Sequence, residues 1–262
     1  MDLRLNGCRC LVTGANSGIG RATALALAGE GAELLLTALE RDSLEVVAEE
    51  CVRAGGRATC SARDLTAADA GERLADDCRE RLGEVDVLVS CAGRTWYRAV
   101  RELTDSDLQA QWELNVMALA RLLRAFAPSM ADRGSGRIVV VSSVSAKQPS
   151  AVNIAYAATK VAQVALVRGF AEEYARDGVA INSVLPGPVD TPLWRAANAE
   201  LADARGVTVE EIERATIEAL PRGRTADTEE LANVITFLAS PAAANVIGAA
   251  WTVDGGSARQ LF

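Results

Sequence analysis

The stretch "CRCLVTGANSGIGRATALALAGEG" (residues 8–31) decides the fold. Its first part, "CRCLVTG" (8–14), reads as a short apolar strand that breaks at Gly14. Its last part, "GIGRATALALAGEG" (18–31), has helical period and closes near Gly31. A strand that runs through glycines into a helix is the first half of a strand–helix–strand unit.

The rest of the chain repeats that alternation. Apolar strands are expected at 32–38, 57–62, 85–93, 136–143, 178–187 and 249–256. Helices are expected over 40–54, from an N-cap at Thr66, from an N-cap at Thr104 through about Met130, over 153–176, and from Asp227 with Glu230 completing a capping box. Residues 188–221 look less regular. Such alternation predicts a parallel sheet covered by helices on both faces, an α/β, doubly wound, Rossmann-type arrangement of about seven strands. No linker, low-complexity run or tandem repeat interrupts it, so residues 1–262 are expected to form one domain.

Composition narrows the function. The chain has 262 residues, half of them hydrophobic, and a formal net charge of -8, which disfavours nucleic acid and anionic membranes as partners. The six cysteines are scattered without a CxxC, and the chain has no histidine, so free thiols are expected and a metal site is not. No apolar run has the length of a bilayer span, and the N-terminus lacks a signal-peptide core, so a cytoplasmic setting is expected.

The turn "TGANSGIG" (13–20) spaces its glycines G-x-x-x-G-x-G. Gly14 allows a sharp turn, while Gly18 and Gly20 let backbone approach a ligand and pack the helix on the sheet. The helix start then offers free N–H groups to a phosphate. A tight turn with no ligand is the alternative; its place between the first strand and first helix favours a dinucleotide.

Without histidine, another group must move protons near neutral pH. "NIAYAATKVAQ" (153–163) places Tyr156 and Lys160 at i, i+4 on one helix face. A free tyrosine titrates near pH 10, and a neighbouring ammonium is expected to lower that value. The alternative is a surface Tyr and Lys. Ser143 closes the apolar strand just before this helix, and Asn115 sits unfavourably inside a helix in "LNVMAL". Both raise the standing of the pair.

Together with "RDLT" (63–66), "CAG" (91–93), "LNV" (114–116), "VSS" (141–143), "YAATK" (156–160), "LPGPVDT" (185–191) and "VDGG" (253–256), the glycine turn makes the chain resemble the short-chain dehydrogenase/reductase family over nearly its whole length, in its single-domain, 3-oxoacyl-reductase-like branch. The resemblance implies Tyr156 as general acid/base, Lys160 as the group that lowers its pKa and holds the nicotinamide ribose, and Ser143 as the donor to the substrate oxygen. Ser143 is chosen over Ser142 because the family places the serine thirteen residues before the tyrosine. Asn115 would hold a water that links Lys160 to solvent. Gly14, Asn16, Ser17, Gly18, Ile19 and Gly20 would cradle the pyrophosphate side of the cofactor. Asp64 and Leu65 would meet its adenine, and Ala92 and Gly93 its adenosine ribose. Pro186, Gly187, Val189 and Thr191 would flank the nicotinamide, with 188–221 as a lid. Cys91 departs from the usual N-A-G and leaves a stapling hydrogen bond unassigned.

At the end of the second strand, Ala38 stands where NAD-preferring relatives carry an acid and Leu39 where NADP-preferring ones carry an arginine. Ser17 is not the basic residue common in NADP users. Glu40 would favour NAD(H) and Arg41 NADP(H); the missing acid at 38 tips the balance to NADP(H). The expected substrate is a ketone or secondary alcohol bounded by residues 94–100, 144–153 and the lid. Trp96, Tyr97 and Trp194 are candidate walls, and Arg94, Arg98, Lys147 and Arg195 candidate anion partners. The resemblance also implies a homodimer or homotetramer paired through 104–130 and 153–176. A dehydratase or epimerase on the same scaffold, or a dinucleotide sensor without turnover, are the competing functions.

Overall fold

Cys10 and Val12 of the first strand point to one face of a sheet and Leu11 to the other, and this parity organises the whole molecule. In the computed structural model, which describes residues 1–95 and 97–259, seven parallel strands lie in the order β3-β2-β1-β4-β5-β6-β7. They are β1 (Arg9–Thr13), β2 (Glu33–Ala38), β3 (Arg57–Ala62), β4 (Val87–Ser90), β5 (Gly136–Val141), β6 (Val179–Pro186) and β7 (Ala250–Val253). Trp96 lies outside the described residues.

On one face, Val12, Leu36, Val89 and Val139 meet α1 (Gly18–Gly29), α2 (Arg41–Arg53) and α9 (Thr228–Ala239) through Leu27, Leu44 and Leu231. On the other, Leu35, Leu88, Ile138 and Val140 meet α3 (Ala70–Arg81), α5 (Ala118–Asp132) and α6 (Ile154–Tyr174) through Leu74, Leu122 and Val167. Strands buried on both faces must be apolar at every position, which is why the central ones read as continuous hydrophobic runs. β1 pairs with β2 on one side and β4 on the other, so the crossovers leave in opposite directions there and open a crevice at the strands' carboxyl ends.

Three expectations need correction. Thr66 does not cap α3; Asp64 turns back to accept from its backbone N (2.9 Å) and hydroxyl (2.7 Å), and Asp69 is the N-cap. The helix from Thr104 is not continuous. After α4 (Asp105–Trp112), one turn of π-helix, Glu113–Met117, precedes α5. The segment 188–221 is not irregular but holds α7 (Pro192–Arg205) and α8 (Val209–Ala219). Thr191 and Thr208 cap these helices, and Gly206, at φ +66°, ends the first of them.

Candidate active site

The turn after β1 and the loop after β4 meet over the crevice. Gly14 sits at φ +63°, and a Cβ there would lie 2.9 Å from the Ala92 nitrogen. A Cβ on Gly20 would run into the Gly14 carbonyl oxygen, so both positions require glycine. The Thr13 hydroxyl accepts from the Cys91 N (3.2 Å) and Ala92 N (3.1 Å) and ties the two segments together. Thr13 thus makes a staple here, at the point where Cys91 departs from the usual asparagine.

Helix α1 begins with its N–H groups unclaimed by side chains. Its N-cap, Ser17, makes no side-chain cap, and its first turn has no acid. α4, α8 and α9 instead start with reciprocal capping boxes and acidic first turns. A glycine cradle leading to a helix start that is free of competing carboxylates fits an anionic ligand such as a dinucleotide pyrophosphate.

A cleft of about 380 Å³ runs from this turn to the ends of β5 and β6. Gly14, Asn16, Ser17, Gly18, Ile19, Gly20, Ala92, Gly93, Ser143, Tyr156, Lys160, Pro186, Gly187, Val189 and Thr191 all line it. Leu39, Arg41, Asp64 and Leu65 do not. They lie near the far edge, where Leu39 is 71% exposed, Arg41 pairs with Glu45 at 3.4 Å, Asp64 is engaged by Thr66, and the Leu65 side chain is buried against α3 and α5.

At the closed end, Lys160 is only 3% exposed. Its Nζ donates to the Val141 carbonyl (3.2 Å) and to Gln163 Oε1 (2.9 Å), and lies 5.3 Å from the centre of the Tyr156 ring. Burial pulls the Lys160 ammonium down to about 7. Burial pushes the Tyr156 phenol up to about 12, against a hydrogen bond with Ser143 that favours the phenolate. The pair by itself therefore does not lower the tyrosine, contrary to the expectation from the i, i+4 spacing. Ser142, the neighbour of Ser143, donates to the Lys160 carbonyl (3.1 Å) and fixes α6 to β5.

Asn115 is fully buried in the π-turn. Its side chain accepts from Arg94 N (3.2 Å) and donates to Arg94 O (3.1 Å) and the Thr159 hydroxyl (3.2 Å), clamping the loop after β4 onto α6. Its carbonyl accepts from Gln163 Nε2 at 2.6 Å. Gln163 was not singled out from sequence. The available signal was a polar residue at i+3 from Lys160, on an alanine-rich helix.

Of the other candidates, Tyr97 and Trp194 line the cleft, whereas Arg94, Arg98, Lys147 and Arg195 do not. Arg195 grips Asp190 with two bonds of 2.8 and 2.9 Å, and Arg98 pairs with Asp107 at 3.5 Å.

Known proteins show the same architecture. L-sorbose reductase from Gluconobacter frateurii, solved with NADPH and L-sorbose, superposes with a TM-score of 0.93 at 33% identity, covering 100% of both chains. A 3-oxoacyl (acyl-carrier-protein) reductase from Agrobacterium tumefaciens, solved with NADP, gives 0.87 at 33% identity, covering 96% of this chain and 94% of that one. The 7alpha-hydroxysteroid dehydrogenase of Escherichia coli is 31% identical over 99% of this chain and 98% of its own. Residues 9–202 match the family described as short chain dehydrogenase. With the glycine turn at one end of the cleft and Ser143, Tyr156 and Lys160 at the other, the chain belongs to the short-chain dehydrogenase family.

Proposed function

We propose that this protein is an NADP(H)-dependent oxidoreductase that interconverts a neutral ketone and its secondary alcohol. The observation that carries this is the buried Lys160 against Tyr156 and Ser143, in the same cleft as an anion-ready glycine turn. Lys160 is the one charged side chain in the described cleft lining, which supports a neutral substrate.

When bound, the nicotinamide gives or takes the hydride. The chain's own groups handle the oxygen and its proton. In reduction, Ser143 donates a hydrogen bond to the carbonyl oxygen, and Tyr156 gives its phenolic proton to that oxygen as it gains negative charge. In oxidation, the Tyr156 phenolate takes the proton back. Lys160 keeps one N–H beyond those to Val141 and Gln163, available to a ribose hydroxyl, and stabilises the phenolate when charged. An oxidised nicotinamide, when bound, would add positive charge to the cleft and favour the phenolate. Asn115 supports Lys160 through its carbonyl, which receives Gln163, and through its hold on the loop after β4.

NADP(H) is favoured because β2 ends without the acid that would repel a 2′-phosphate, and because the Gluconobacter and Agrobacterium reductases were solved with NADPH and NADP. Arg41, Leu39, Asp64 and Leu65 lie at that edge as the adenosine-side residues. Helices α7 and α8 form the lid, and α7 brings Trp194 to the cleft. An apolar groove formed by Trp112, Val116, Ala162, Leu166, Phe170 and Tyr174 supports assembly as a homodimer or homotetramer through α4 and α6. Six cysteines without a disulfide support a cytoplasmic setting.

The test is nicotinamide absorbance during turnover of a panel of neutral ketones with each cofactor. Oxidation of NADPH is expected, and a clear preference for NADH would overturn the cofactor assignment. Ser143→Ala is expected to lower kcat by roughly 10²-fold, the cost of one donor to a developing oxyanion. An unchanged kcat would remove Ser143 from the mechanism.

A further inference from the structure

Lys160 is a buried cation whose fixed partners are both neutral carbonyl groups. One is the backbone of β5. The other is the side-chain amide of Gln163, itself only 2% exposed. That amide has no freedom to turn. Its Oε1 takes the Lys160 ammonium at 2.9 Å while its Nε2 gives to the Asn115 carbonyl at 2.6 Å. An amide flipped by half a turn would set N–H against ammonium and oxygen against carbonyl, losing both bonds. Resting on the oxidoreductase assignment, we infer that Gln163 is a positioning residue for proton transfer, which holds the Lys160 ammonium beneath Tyr156 and couples it directly to the π-turn at Asn115.

The physical consequence follows from the surroundings of Lys160. The titratable groups that face it are Tyr156 on its own helix and Cys91 from the loop after β4, with Tyr97 acting on Tyr156. Burial keeps the Cys91 thiol at about 12, so it brings no negative charge near neutrality. No carboxylate among the described residues balances the ammonium. Its charged form rests on carbonyl dipoles, and hydrogen bonds to a charged group are the strong ones. With the Gln163 oxygen removed, Lys160 shifts toward the neutral amine, and the Tyr156 phenolate loses the cation beside it.

The experiment compares the full-length protein with Gln163→Met and Gln163→Leu. Both lack the acceptor; Met keeps the unbranched length and Leu does not. The readout is the pH profile of kcat/KM for alcohol oxidation with saturating NADP. In both variants the acidic limb is expected to move up by at least about half a pH unit, which lowers kcat/KM on that limb by at least about 3-fold. The alkaline plateau should stay near that of the wild type, because there Tyr156 ionises without help. A uniform loss at every pH would make Gln163 only a packing residue and overturn the inference, as would an unchanged profile or a shift in one folded variant but not the other. Melting temperatures identify a variant that has failed to fold, and the remaining one then decides. Absence of nicotinamide turnover by the wild type would instead strike the oxidoreductase assignment itself.

Discussion

Replacing Tyr156 by phenylalanine lowers kcat by roughly 10²- to 10⁴-fold, the span that a positioned general acid contributes. The substitution deletes one oxygen and leaves the ring in place against Lys160. Cofactor affinity should therefore change little, and fluorescence titration with NADPH can verify this apart from turnover. Burial holds the Tyr156 phenol protonated to about 12 before any ligand binds. Reduction by the wild type should thus be flat from acid to neutral pH. Oxidation needs the phenolate, so its rate should climb with pH. In Tyr156→Phe the climb of oxidation with pH should vanish, leaving a low rate that is flat in both directions. A variant with wild-type rate would show that the proton comes from elsewhere.

Lys160→Met should cut turnover by on the order of 10³-fold, through loss of both the phenolate's cation and a ribose contact. It should also make the ligand-free protein more stable. The Lys160 pKa falls from its ordinary 10.5 to about 7 because burial penalises the charged form. Between these values the unfolded chain binds more protons than the folded one, so wild-type stability rises with pH across that window. The cost of the buried charge is complete below about pH 7 and gone above about 10.5. At pH 6 the methionine variant should gain on the order of 2–4 kcal/mol, reduced by the Gln163 oxygen left without its donor. The gain should fade as pH approaches 10. Thermal melts of the two proteins across this range measure it. A variant less stable than the wild type at pH 6 would mean that Lys160 is held by its hydrogen bonds more strongly than burial opposes it.

Both effects belong to a lysine that an unaided sequence places on a helix face and no more. "YAATK" shows a shared face, and "VSS" shows a serine at a strand end, because spacing along regular elements is a local property. The capping box at Asp227 was legible for the same reason: both of its hydrogen bonds close within three residues. The helices of 188–221 were harder to see. Their caps, Thr191 before Pro192 and the Thr208–Glu211 box, are as local as that at Asp227, but the charged, alanine-rich stretches that follow hold few large apolar residues. The π-turn escaped because the sequence "ELNVM" differs little from helix, and the groups that bond Asn115 there, Gln163 and the Arg94 backbone, come from other parts of the chain.

What the sequence determined by itself was the succession of strands, their apolar burial on two faces, the glycines of the first turn and the residue types at the cleft. These follow from periodicity and backbone freedom, which act over a few neighbours. The electrostatic state of the site was decided only by the tertiary structure. Tyr156 and Lys160 are four residues apart in either case, yet the spacing alone favours a lowered phenol and the fold delivers a raised one. The reason is that the energy of a charge depends on how much water is removed around it, and water is removed here by the loop after β4, by β5 and by the π-turn, which are brought to α6 from distant parts of the chain.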